Sequence, residues 1–301
     1  MIQGSCLCGA IAWTASGPFE LMAHCHCSMC RKAHGASFAT AVGAPLANFR
    51  FDRGVDRVIR YESSQRTARN FCTRCGSVVP SVPNGPSEGE RIFLPAGCLD
   101  DDPGARPIAH IFTASKAPWH EINDALPRFA AYPPGFMESR RSASPRYAGT
   151  GLGDQPERPL RASSVIRGSC LCKRVAFEAA PPFGPMTNCH CSRCRKMVSA
   201  AYATDFGAPI AGFHWLRGRK HVRDFALPDP RWFMTSFCEV CGSVLPHVAR
   251  NDPNSVLIQV GALDDDPGIR PVLHLFVGSK AAWEEITDAL PQHDEYPPMR
   301  A

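Results

Sequence analysis

The sequence predicts a mostly β protein of two tandem domains, made of short strands and few short helices. Three observations predict it. A set of cysteine motifs is written twice at a nearly constant offset. Twenty-eight prolines and 24 glycines in 301 residues break the chain into short pieces that favour turns over long helices. Between those breaks lie segments rich in β-branched or aromatic residues, or alternating in polarity.

The repeat runs through the chain in order. Gly4-Ser5-Cys6-Leu7-Cys8 returns as Gly168-Ser169-Cys170-Leu171-Cys172, an offset of 164. Cys25-His26-Cys27-Ser28-Met29-Cys30-Arg31-Lys32 returns at the same offset as Cys189-His190-Cys191-Ser192-Arg193-Cys194-Arg195-Lys196. Phe71-Cys72-Thr73-Arg74-Cys75-Gly76-Ser77 returns as Phe237 to Ser243 at 166, which places two extra residues before Cys238, in the proline-bearing stretch 219–229. The offset is 164 again at Leu99 and Leu263, so the second copy is shorter in the loop after Pro246. Ser115-Lys116-Ala117 with Trp119 recurs as Ser279-Lys280-Ala281 with Trp283, and Tyr132-Pro133-Pro134 as Tyr296-Pro297-Pro298. Each unit is far too long for a stacking solenoid repeat. The expected domains are therefore 1–134 and 166–301. The stretch 135–165, rich in Ser, Arg, Gly and Pro, reads as a flexible linker whose arginines are a solvated tether.

Within the first copy, strands are expected over 10–14, 37–42, 57–62, 91–94 and 108–113. One short helix is expected near 118–126, where Ile122 and Leu126 sit at i and i+4 before Pro127. A helical turn is expected after Cys27, ending at Gly35. Phe38 and Tyr202 are expected to fill the core.

No apolar run reaches the roughly 18 residues of a membrane-spanning helix, and the start at Met1 lacks the pattern of a signal peptide. A cytoplasmic protein with no membrane partner is expected. The formal charge of +5 counts every cysteine as neutral. Metal-bound thiolates would bring the balance to about −1. The basic residues are also dispersed, so no nucleic-acid partner is expected.

Fifteen cysteines in C-x-C and C-x-x-C spacing point to metal in a reducing compartment, with disulfides as the alternative. Cys6, Cys8, Cys72 and Cys75 offer four thiols as two pairs, the form of a closed structural zinc site, and Cys170, Cys172, Cys238 and Cys241 repeat it. Cys25, Cys27 and Cys30, repeated as Cys189, Cys191 and Cys194, offer only three, which leaves a coordination position open for catalysis. The alternative is a second structural zinc completed by a histidine or another ligand. Two zinc ions per domain, about four per chain, are expected on this division. Cys98 aligns with Ala262 and is read as a small buried residue. His26 and His190, between ligands, are expected to hydrogen-bond or pack, and His110 and His274 to support them from neighbouring strands. Arg31 and Lys32 follow the third thiol and are candidates to neutralise thiolates or to hold a substrate carboxylate.

These ordered motifs, G-S-C-x-C, C-H-C-S-x-C-R-K, F-C-x-x-C-G-S and S-K-A-P-W, resemble the glutathione-dependent formaldehyde-activating (GFA) family, which includes the centromere protein V type. The resemblance covers about 2–134 and 166–298. It implies a β-tent fold with two zinc sites per domain, matching the four-cysteine set to structural zinc and the three-cysteine set to catalytic zinc. It also implies carbon–sulfur lyase-type chemistry, the reversible addition of glutathione to formaldehyde that gives S-(hydroxymethyl)glutathione. Arg31 and Lys32 would then meet the carboxylates of the thiol substrate. The second copy departs from the pattern at Lys173, in place of Gly9, and at Ser199, in place of Gly35, so its substrate need not be the same. A non-catalytic zinc-thiolate scaffold is the competing reading, and a redox switch that releases zinc on oxidation a third. The two copies are free to pack together.

Overall fold

The computed structural model describes residues 1–64, 67–82, 90–134, 164–228 and 233–297. The linker expected over 135–165 lies almost wholly outside them. The first copy holds β1 (Ile2–Ser5), β2 (Ala12–Ala15), β3 (Glu20–Cys25), α1 (Ser28–His34), β4 (Ala39–Pro45) and β5 (Phe49–Arg53). It continues with β6 (Val58–Ser64), β7 (Thr67–Cys72), β8 (Val78–Val79), β9 (Arg91–Pro95) and β10 (His110–Ile111). The second copy repeats the order with β11 (Ile166–Ser169), β12 (Ala176–Ala179), β13 (Met186–Cys189), α2 (Ser192–Val198), β14 (Ala203–Pro209) and β15 (Phe213–Arg217). Then come β16 (Val222–Ala226), β17 (Met234–Cys238), β18 (Val244–Leu245), β19 (His247–Ala249), β20 (Asp252–Gln259), β21 (Pro271–Leu275) and β22 (Gln292–His293).

Each copy stacks three small sheets. In the first they run β1-β2-β5, β10-β3-β4-β9 and β6-β7-β8. In the second they are β11-β12-β15, a six-stranded β19-β20-β14-β13-β21-β22, and β16-β17-β18. The expected strands all form, though the one expected over 108–113 shrinks to β10. Phe112 takes a left-handed φ of 58° and the chain turns into a 3₁₀ segment at Thr113–Ser115. The two extra residues lie in the β16–β17 hairpin, because Ala226 pairs with Met234 where Glu62 pairs with Ala68.

The helix expected near 118–126 does not form; that stretch is turns and irregular chain. So short a helix is marginal alone, and here tertiary contacts use the segment otherwise. Ala117 and Trp119, fully buried, leave their own copy to join the second copy's core with Ile166, Phe177, Met186 and Phe206. Ala281 and Trp283 make the reciprocal crossing into the first copy's core. The two copies are one body with exchanged tryptophan arms.

Among the described residues no helix is long and apolar enough to cross a membrane.

Candidate metal centres

Fifteen free thiols, fourteen of them in four clusters, organise the chemistry. In the first cluster Cys6 and Cys8 leave the end of β1, and Cys72 and Cys75 close the tight turn after β7. Ile11 N–H donates to Cys6 Sγ at 3.3 Å and Arg74 N–H to Cys72 Sγ at 3.4 Å, which stabilises negative charge on sulfur. Ser77 ties the two halves together, accepting from Leu7 N–H at 3.0 Å with its oxygen 3.4 Å from Cys75 Sγ. The second copy reproduces this through Val175 N–H, Leu171 N–H and Ser243.

The three-thiol clusters are built by a strand end and a helix start. Cys25 closes β3, Cys27 caps α1, and Cys30 lies in its first turn, donating its N–H to Cys27 Sγ at 3.3 Å. Cys189, Cys191 and Cys194 repeat this with β13 and α2, at 3.4 Å.

The donor sets fit a tetrahedral metal. Sulfurs bonded to zinc at roughly 2.3 Å lie roughly 3.8 Å apart. The sulfurs here are separated by 3.5 Å (Cys6 and Cys8), 3.8 Å (Cys8 and Cys72), 3.8 Å (Cys172 and Cys238) and 3.6 Å (Cys189 and Cys191). All members of each cluster lie within 4.8 Å of one another, and no further Cys, His, Asp or Glu completes either trio among the described residues. Crowded, buried thiols cannot all ionise without a cation to share the charge. Cys75 is accordingly pushed far up by hydrogen bonds with Cys6, Cys72 and Cys8 together with burial.

A hydrogen-bonded chain holds each trio's loop. His26 Nε2 lies 2.8 Å from His110 Nδ1, and His110 Nε2 lies 2.9 Å from Asp124, whose carboxylate also accepts the Leu126 N–H at 3.0 Å. His190, His274 and Asp288 copy the chain at 2.8 and 3.1 Å. Because a carboxylate only accepts, His110 Nε2 donates to it and His110 Nδ1 accepts from His26 Nε2–H. His24 and Asn188, at matching positions, each bond the facing threonine, Thr40 and Thr204, at 2.8 Å.

Arg31 and Lys32 do not stand where the sequence reading expects them. Lys32 is buried in the joint between the copies. Its Nζ donates to Ser169 O at 2.8 Å and Ala262 O at 3.2 Å, and pairs with Asp264 at 2.8 Å, which leaves it unavailable to a substrate carboxylate. Lys196 mirrors it, donating to Ser5 Oγ at 2.5 Å and pairing with Asp100. Arg31 is buried with its guanidinium 5.7 Å over the Trp119 ring. The substitution of Gly35 by Ser199 also belongs to this joint. Gly35, at φ +69°, caps α1 where a Cβ would lie 2.6 Å from Val244 Cβ, whereas Ser199 Oγ donates to Val78 O at 3.1 Å. Gly9 has nothing within 4 Å of its Cβ position, and Lys173 there keeps a left-handed φ of 62°. Cys98 is fully buried, its sulfur 3.2 Å from Ser199 Oγ, and burial pushes its thiol up to about 12.

The basic residue that does reach a trio is Arg69, on β7. Its Nη2 donates to Cys30 Sγ at 3.3 Å and its Nη1 to Ser63 Oγ at 2.6 Å. Hydrogen bonds from Cys25 and Cys27, helped by the Arg69 charge against burial, hold Cys30 well below the usual thiol range. The matching residue in the second copy is Thr235, and that trio instead has the partly buried carboxyl of Asp205 nearby, where the first copy has Ala41. Burial, then the charge of Cys191, pushes Asp205 up to about 7. Comparing the copies for positions of unlike charge would have found both residues; scanning for motifs did not.

The glutathione-dependent formaldehyde-activating enzyme family matches residues 1–115 and 165–279. No curated protein matches the chain. A crystal structure of a Rhodobacter sphaeroides protein is 24% identical over 35% of this chain and 97% of its own, with a TM-score of 0.30. With both cysteine frameworks assembled in each half and the family matched over both halves, the chain belongs to the glutathione-dependent formaldehyde-activating family.

Proposed function

We propose that the protein is a zinc-dependent enzyme of carbon–sulfur lyase type, acting on glutathione or a similar thiol and on formaldehyde or a related small electrophile. Its working site is the first copy's trio. One observation carries the reading: three thiols converge with no fourth donor among the described residues, and a guanidinium lies 3.3 Å from one of them. The four clusters take four zinc ions per chain, the four-thiol pair holding the fold and the trios leaving a position open. A zinc ion at the trio supplies Lewis acidity toward a sulfur or a carbonyl oxygen.

The reaction joins the thiol sulfur to the aldehyde carbon. The C=O π pair moves to oxygen, which takes up the proton that the thiol gives up. Arg69 favours the thiolate form of an incoming thiol by placing fixed positive charge in a desolvated position. The His26–His110–Asp124 chain orients the Cys25-to-Cys27 loop. The second trio has Thr235 where the first has Arg69, and Asp205 beside Cys191, so we assign it an architectural role. Free thiols throughout suit a reducing compartment, the cytoplasm.

Two-dimensional exchange NMR of formaldehyde with glutathione tests the reading, alongside zinc content. The protein accelerates exchange; Cys27→Ser abolishes the acceleration and lowers zinc by one per chain. Arg69→Thr keeps the zinc and loses about 10- to 100-fold in rate. Exchange no faster than the spontaneous reaction at micromolar protein would overturn the assignment.

A further inference from the structure

A cavity of about 420 Å³ lies between the copies, and no cysteine lines it. It is walled by Phe38 and His120 from the first copy and by Tyr202, Trp283 and Glu284 from the second. The offset of 164 pairs Phe38 with Tyr202 and His120 with Glu284, so the duplicated frame presents unlike groups across the joint. The residues that hold the loops, His110 and His274, Asp124 and Asp288, are instead alike.

Two side chains here are buried yet lack protein partners. Glu284 is 7% exposed and Tyr202 8% exposed. Neither the carboxylate nor the hydroxyl forms a hydrogen bond among the described residues, although both line the cavity. Both groups open onto the void, so a ligand seated there meets a carboxylate and a hydroxyl that no protein group already uses.

The charge of the lining selects that ligand. Asp124, Asp288, Glu121 and Glu285 join Glu284, while the lining cation Arg106 is held by both oxygens of Asp102 at 2.9 Å. Burial holds the His120 imidazole down at about 3, so it adds no positive charge. Aromatic faces with nearby carboxylates recognise ammonium groups. A metal ion is the poorer fit, since among the described residues only the cysteine clusters bring three donors within 4.8 Å. We propose that this cavity binds a small protonated amine, with Glu284 as its counter-ion, Tyr202 Oη as a hydrogen-bond acceptor and the rings of Phe38 and Trp283 as its walls.

The site carries a proton signature. Burial pushes the Glu284 carboxyl up to about 8, with Lys280 opposing and Asp124 and Glu285 reinforcing the rise. An ammonium ion seated beside it ionises the carboxyl, so binding near neutral pH releases a proton. Tyr202, Asp288 and His274 also face this space, and His120 fronts it from the first copy.

Calorimetry on the zinc-loaded full chain tests the proposal with phenethylamine and 1,4-diaminobutane, against neutral 2-phenylethanol and anionic 3-phenylpropionate. The amines bind and the two controls do not. Glu284→His, which installs the first copy's residue, weakens amine binding by about tenfold or more. Tyr202→Phe, again the first copy's residue, weakens it by about threefold. Both variants retain zinc content and exchange activity, which separates this site from the trio. Repeating the titration in buffers of different ionisation enthalpy reads the released proton. Equal affinity for the alcohol and the amine, no amine binding up to about 10 mM, or unaltered affinity in both variants would overturn the site.

Discussion

Lys32 Nζ stands 2.8 Å from Asp264 across the joint between the copies, its side chain 7% exposed and that of its partner 32%. The lysine two residues after the last thiol of the trio therefore fastens one copy to the other. Burial, against the attraction of Asp264, lowers the ammonium to about 8, so its pairing offsets a real desolvation penalty. Lys32→Met leaves the Ser169 and Ala262 carbonyls without this donor and Asp264 with only the longer 3.4 Å pairing to Lys173, and stability falls by about 2–4 kcal/mol. Urea unfolding of zinc-loaded protein measures it. An Asp264→Leu, Lys32→Met double variant recovers part of the loss; a double variant as unstable as the two single losses added would show that the pair is not coupled.

Gly35 and Gly9 have the same left-handed backbone but unlike surroundings. A Cβ on Gly35 would stand 2.6 Å from Val244 Cβ, closer than packed carbons approach, whereas Gly9 faces open space. Gly35→Ala thus adds a steric penalty across the joint to the backbone strain and costs about 3 kcal/mol in total. Gly9→Lys, the second copy's own choice at Lys173, costs about 1 kcal/mol. Thermal unfolding of the two variants side by side checks the ranking, and equal losses would contradict it.

The cysteine framework was legible because ligand spacing is local. Strand ends and a helix start deliver Cys25, Cys27 and Cys30 together whatever the distant chain does, and the copy at Cys189 doubles the signal. What escaped was everything that depends on the joint. The i, i+4 pattern at Ile122 and Leu126 resembles a helix, but the crossing of Trp119 into the other core and the bonds from Asp124 to His110 and the Leu126 N–H hold the segment in turns and irregular chain. Arg31 and Lys32 read as partners for thiolates or a substrate carboxylate because a sequence does not reveal which face of α1 meets a second copy. Arg69 sits in no motif, and only its distance to Cys30 identifies it.

Metal removal separates the two kinds of cluster. Structural zinc contributes roughly 10–16 kcal/mol at neutral pH, as much as a typical domain's whole stability. Cys72→Ser therefore unfolds the first copy and, through the exchanged Trp119 and Trp283, loosens the second. Cys27→Ser keeps the near-ultraviolet circular dichroism and loses one zinc. A chelator titration followed by metal analysis shows two ions leaving before ellipticity changes and two leaving with it. Simultaneous loss of all metal and all structure would contradict the division into four-thiol and three-thiol sites.

Two imidazoles, His247 buried and His120 partly buried, give the fold a stability that depends on pH. Burial, with Lys116 and His110 adding to it and Asp124 opposing, lowers His120 to about 3. Burial lowers His247 to about 4 against the pull of Asp224 and the Leu245 backbone. In the unfolded chain both take up protons near the ordinary value of 6.5. Between about pH 6.5 and pH 3–4 the unfolded state therefore holds more protons than the folded one, and stability falls as pH falls through that window. Each ring accounts for about 2 kcal/mol by pH 5, since one pKa unit is worth about 1.4 kcal/mol. His120→Gln and His247→Gln each remove one ring's share of the slope. Urea midpoints measured from pH 5 to 7.5 in saturating zinc, with parent and variant at each pH, cancel the titration of the metal ligands they share. Parallel pH profiles for parent and both variants would show that these rings are not held neutral by the fold.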